Sequence, residues 1–151
     1  MIEIKIPEQN KKIVEQVQQV CANNKGLVVV ASNDYNWNTY MTWVLVNELN
    51  VDRSKTVVLI SVEEDQYKPE RQIDTVAIDS LAPDNIVFAC AIRDKEKVLD
   101  VIRAAETCLV IAIMHCSSGS AVADRFRDYE ISESDIEQKL KIVICQEGVV
   151  Q

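Results

Sequence analysis

Apolar positions along this chain follow two rhythms. Four unbroken runs, "GLVVVA" (26–31), "TVVLISV" (56–62), "NIVFACAI" (85–92) and "CLVIAIM" (108–114), are of the kind buried on both faces of a parallel sheet. Between them, apolar residues recur at helical spacing. Ile13, Val14, Val17, Val20 and Cys21 precede a stop at "NNKG", and Met41, Val44, Leu45 and Leu49 form one face of a helix from Thr39. Val98, Val101, Ile102 and Ala105 do the same within "DKEKVLDVIRAAE". A short helix is expected near Ala121 to Tyr129. A last one opens at "SESD" and turns Ile136, Leu140, Val143 and Ile144 inward. The opening "MIEIKI" alternates as a strand with one wet face does. Strands alternating with helices, with no linker or repeat, predict a single α/β domain over 1–151 with a mainly parallel central sheet. In such folds, function sits at the carboxyl ends of the strands.

Composition narrows the function. A chain of 151 residues, 48% hydrophobic and 26% charged, can bury a full core. Its net charge of -8 argues against nucleic acid as a partner, because phosphate contact needs a basic patch. The run Leu109 to Met114 falls far short of the ~20 residues that span a bilayer, so no direct membrane span is expected. The N-terminus lacks the basic and apolar regions of a signal peptide. Five cysteines form no C-x-x-C pair, which fits reduced thiols in a cytoplasmic protein.

The loops after the apolar runs carry the candidate chemistry. "SNDYNWN", residues 32–38, joins a strand to a helix, where many α/β proteins hold phosphate. That task needs consecutive inward backbone N–H groups, supplied by glycine torsions, and a lysine to offset charge. This loop has no glycine, lysine or arginine. Asp34 would repel a triphosphate and Trp37 would crowd it, so the loop reads as a polar turn capped by Asn38. Glu63, Glu64 and Asp65 cluster after the second run, where acids can hold a metal or activate water; with no phosphate site opposite, they read as a solvated turn. The third run ends in Cys90 and Ala91, followed by Arg93, with no carboxylate where a nucleotide hydrolase needs one. After the fourth, "HCSSGSAV" is similar to the cysteine phosphatase loop H-C-x-x-G-x-x-R, in which a thiolate attacks phosphorus and an arginine clamps the oxygens. Cys116 and Gly119 fit that spacing, but Val122 stands where the arginine is required.

Laid end to end, these loops resemble one family. From Gly26 onward the chain is similar to the C-terminal motor domain of the hexameric ATPases of type II secretion and type IV pili. "KGLVVVASNDYNWNTYMT" falls on the strand and Walker A loop, and "LISVEED" on the aspartate box. "PDNIVFACAIRDKEKVLDVIRAAET" falls on the Walker B strand and the helix after it, "LVIAIMHCSSGSAVADR" on the histidine box, and "DIEQKLKIVICQ" on the closing helix. About four-fifths of the chain is covered. The resemblance implies a three-layer, P-loop NTPase-like (RecA-like) domain, without the family's N-terminal domain. Its nucleotide-site positions fall on Ser32, Asn33, Asp34, Asn36, Trp37, Asn38, Thr39, Glu63, Glu64, Ala91, Arg93 and His115. The departures are as informative. Asn38 occupies the Walker lysine position, the loop glycines are gone, Ala91 replaces the Walker B glutamate, and Glu64 and Asp65 replace Asp-Pro. Only His115 is plainly kept.

The resulting expectation is a catalytically inactive ATPase-like scaffold or regulator without metal or cofactor. It would work through protein contacts with a pilus or secretion apparatus. Its partners would be an active motor ATPase, a platform protein or further copies of itself, at the inner face of the membrane. The rival is an enzyme: a weak nucleotide hydrolase using Glu63 and His115, or a phosphate-ester hydrolase using Cys116. The fold expectation is specific, placing Ser32, Glu63, Arg93 and His115 along one edge of the sheet.

Overall fold

The structure, a computed structural model, describes residues 8–21, 23–50, 54, 56–59, 77–146 and 148–150. Helix α1 (Glu8–Val20) ends where Asn24 takes a left-handed φ of 54°, and strand β1 (Gly26–Ala31) follows. The Asn24 side chain donates to Pro83 O (2.8 Å) and Asn85 O (3.2 Å), so the residue that stops the helix also ties it to the start of a neighbouring strand. Next come α2 (Tyr35–Leu49), β2 (Thr56–Leu59), a 3-10 turn (Ile78–Ser80), β3 (Asn85–Ala91), α3 (Lys95–Ala105) and β4 (Leu109–Met114). Helices α4 (Ser120–Asp128) and α5 (Glu133–Lys139) lead to β5 (Leu140–Cys145) and β6 (Gly148–Val150).

These strands form one sheet in the order β2-β3-β4-β1-β5-β6, parallel except for β6, which runs antiparallel to β5. Successive side chains of a strand face opposite sides, and both sides here are covered. Leu27, Val29, Val110 and Ala112 pack with Val101 and Phe126 under α3, α4 and α5. Val28, Val30, Ile111 and Ile142 pack with Val17, Met41 and Leu45 under α1 and α2. The unbroken apolar runs follow from this three-layer arrangement, since no strand in the middle of the sheet has a wet face.

The expected α/β fold is present, with two corrections towards its C-terminal end. The sequence predicts a last helix reaching Ile144, but the helix stops at Lys139 and residues 140–145 form β5 beside β1. Ile142, Val143 and Ile144 are β-branched and fill a slot in the sheet flanked by β1, where side chains standing off both faces are buried. Strand β6 is also absent from the sequence reading. The expected strand in "MIEIKI" and the cluster Glu63 to Asp65 lie outside the described residues.

The chain leaves β1 towards β2 by way of α2 on one face. It leaves β4 towards β5 by way of α4 and α5 on the other. The two connections diverge between neighbouring strands, and such a divergence opens a crevice at the carboxyl ends of β1 and β4. Ser32, Arg93 and His115 follow β1, β3 and β4 at that same edge, as expected.

Candidate active site at the carboxyl edge of the sheet

The β1–α2 junction is held by its own side chains. Ser32 N donates to Met114 O (3.2 Å), which fixes the loop against β4. The Ser32 hydroxyl accepts from Asp34 N (2.7 Å) and lies 3.2 Å from Gln146 Oε1. Asp34 Oδ1 accepts from Trp37 N (3.2 Å), the usual contact of an N-cap carboxylate with the open N–H groups of a first turn. The sequence predicts a cap at Asn38 and a helix from Thr39. The helix instead begins one turn earlier, because Asp34 reaches the first turn and Asn38 N already bonds Asp34 O (3.0 Å).

Asn38 is therefore inside the helix and fully buried. Its Nδ2 donates to Ser32 O (2.9 Å), folding the loop back onto the helix, while its Oδ1 has no hydrogen-bond partner among the described residues. Trp37 turns away from the crevice and packs against the core shared by α1 and α2. Asn33 and Asn36 are exposed, and Thr39 is half-buried with its hydroxyl donating to Tyr35 O (3.0 Å).

Across the crevice, β3 ends in a bulge. Phe88 pairs with Ile111, but Ala91 pairs with Ile113, so three steps along β3 match two along β4. Cys90 absorbs the extra residue in a left-handed conformation (φ 56°), which a non-glycine residue adopts only at a cost. The bulge breaks the alternation of sides and brings both Cys90 and Ala91 onto the wall of one cavity. Burial pushes the Cys90 thiol up, only partly offset by Lys97, so it stays protonated.

That cavity, of about 70 Å³, lies between α2 and the ends of β3 and β4. Tyr35, Trp43, Phe88, Ile113 and His115 line it together with Cys90 and Ala91, and Arg93 is the charged residue on its wall. Tyr35 and His115 stack with ring centroids 6.2 Å apart and planes 13° from parallel, bridging α2 to the end of β4. Trp43 and Phe88 meet at 6.5 Å and 47°. Arg93 is exposed and has no ion-pair partner among the described residues, while its carbonyl accepts from the Tyr129 hydroxyl (3.1 Å).

The structure thus brings Thr39, Ala91, Arg93 and His115 together and leaves Asn33, Asn36 and Trp37 outside. The sequence reading misses Tyr35, Trp43 and Phe88. Tyr35 and Trp43 carry a signal, a stripe at positions 35, 39, 42 and 43 along a face of α2 distinct from the one with Met41 and Leu45, whereas Phe88 on β3 carries none.

Cys116, next to His115, points elsewhere. It is 3% exposed, its thiol donates to Ser118 O (3.3 Å), and burial raises its pKa despite the pull of Arg125. Val122, at the position of the phosphatase arginine, is fully buried in the core.

No protein-family model matches the chain, and no curated protein matches it by sequence. Solved structures do. The pilus retraction motor PilT with bound ADP superposes with a TM-score of 0.67 at 20% identity, over 99% of this chain and 52% of that one. The fold is that of the PilT and DotB ATPases. The Legionella pneumophila ATPase DotB gives a TM-score of 0.64 at 14% identity over 94% of this chain and 47% of its own. DotB of Yersinia pseudotuberculosis gives 0.60 at 16% over 92% and 44%. The chain spans about half the length of these ATPases. In this fold the β1–α2 junction places the Asp34 carboxylate on the first-turn N–H groups of α2. An anion at the start of α2 would meet the Asp34 carboxylate where it needs free N–H groups. Among the described residues, no helix is long and apolar enough to cross a membrane.

Proposed function

We propose that this chain is a catalytically inactive, ATPase-like scaffold or regulatory protein. It acts at a pilus or secretion apparatus, in the cytoplasm, through contacts with a motor ATPase or platform protein. The observation that carries the reading is the closed start of α2. Asp34 accepts from Trp37 N, and Ser32 accepts from Asp34 N. Asn38, in the Walker lysine position of the resemblance, spends its amide on Ser32 O. Ala91 adds no carboxylate at the end of β3. Each charge-assisted hydrogen bond forgone costs about 1.5–3 kcal/mol, and three or four of them weaken binding by several powers of ten. The folded frame stays intact, which supports a role resting on surface rather than turnover. Thiol chemistry at Cys116 finds no support, since its sulfur is buried and protonated.

The test is calorimetric. At millimolar magnesium ATP, a micromolar site stabilises its protein by roughly 4 kcal/mol, a shift of many degrees in a domain of this size. The expected result is no shift in melting temperature. Titration giving a Kd below about 10 μM would overturn the reading.

A further inference from the structure

We propose that the cavity between α2 and the ends of β3 and β4 is a socket on a protein-docking surface. It receives one branched aliphatic side chain of a partner segment, and Arg93 pairs with a carboxylate of that same segment. The inference rests on the reading that the chain acts through protein contacts, and it says where and with what chemistry.

Size decides first. A volume of about 70 Å³ is small. An enclosed dry cavity of about 150 Å³ takes up a benzene, and this one is about half that. What fits is a single side chain of a few carbons, with the rest of its owner lying outside. Interfaces commonly anchor in this way, by one residue seated in a desolvated pocket.

The wall decides which side chain. Trp43, Phe88 and Ile113 are apolar, and the hydroxyls of Thr39 and Thr42 already donate to the helix carbonyls of Tyr35 (3.0 Å) and Asn38 (2.8 Å). A polar guest would lose its water and gain little in return. An aliphatic one loses nothing.

Charge decides the company it keeps. The chain carries a net charge of -8, yet the charged side chain among the described lining residues is Arg93. Its guanidinium has no ion-pair partner among the described residues and presents a fork that matches a carboxylate. At the rim, Tyr35 is 61% exposed and held flat by its stack on His115, a rigid aromatic surface for the flanking backbone.

The probe is the peptide acetyl-Leu-Gly-Glu-amide, which in extended form places both side chains on one side. It is titrated into the labelled full chain and followed at the Trp43 indole and His115 ring signals. Saturation in the millimolar range is expected for so small a ligand. Replacing the peptide's Glu by Gln, or Arg93→Gln in the protein, should weaken binding roughly two- to five-fold. Replacing its Leu by Gly, or filling the socket with Ala91→Leu, should remove saturation. No saturable shift by about 50 mM, or equal affinity for the Glu and Gln peptides, overturns the socket. Magnesium ATP is titrated in parallel. If it binds below about 10 μM, the reading of an inactive ATPase fails; if neither binds, only the socket does.

Discussion

Helices α2 and α3 begin alike and then diverge. Each follows a strand of the same sheet edge, and each is closed by its own aspartate: Asp34 accepts from Trp37 N at 3.2 Å and Asp94 from Lys97 N at 2.8 Å. Beyond the cap, α3 is an ordinary amphipathic helix. It buries Val98, Val101, Ile102, Ala104 and Ala105, with Glu96 in its first turn and Arg103 in its last, as the helix dipole favours. Helix α2 has no acid in its first turn and no base in its last, where Glu48 stands instead, and it buries Asn38 and Thr42 along with Met41 and Leu45. It serves three surroundings at once: the core, the loop before it and the cavity. One helix is built to hold the sheet, and the other also carries whatever the sheet edge is for.

Truncation of the core should show the largest effect and the least difference between them. Leu45→Ala in α2 and Ile102→Ala in α3 should each cost about 2–5 kcal/mol in urea unfolding. A loss at Leu45 below about 1 kcal/mol would mean that α2 does not share the core-holding task, and the comparison would break.

Loss of the caps comes next. Asp34→Ala and Asp94→Ala should each lower stability by about 1 kcal/mol. If Asp34→Ala raised the unfolding midpoint instead, the start of α2 would be built for a ligand rather than for its own cap.

Smallest is the effect of the exposed side chains, Tyr35 on α2 (61% exposed) and Leu99 on α3 (48%). Either one changed to Ala should alter stability by no more than about 0.5 kcal/mol. A larger loss for Tyr35 alone would show that its stack on His115 holds the loop in place, and would sharpen the contrast between the helices.

What the sequence made legible follows the same division. The stripe of α3 stood out because one face of the helix meets one core, although its cap at Asp94 was not read. The ends of β1, β3 and β4 were equally plain, which is why Ser32, Arg93 and His115 emerge where they were expected. The start of α2 was not plain. Both Asp34 and Asn38 are good capping types, and only the bonds to Trp37 N and Ser32 O decide between them. Strand β5 was hidden by coincidence: Ile136, Leu140, Val143 and Ile144 keep helical spacing across a boundary that carries neither glycine nor proline. The cavity was hidden for another reason. Its wall draws Phe88, Ile113 and Tyr35 from three separate elements, and no single window of sequence contains them.

The bulge at Cys90 has the character of a frameshift in three dimensions. Upstream of it, even-numbered residues of β3 look towards α2; downstream, the count is off by one, and Ala91 and Arg93 look that way instead. Were β3 to run through Cys90 without the bulge, the even count would continue and carry Ala91 and Arg93 to the far side of the sheet. The chemistry of the crevice is therefore punctuated by one awkward cysteine, and its reading frame could be lost without altering any residue that lines it after β3.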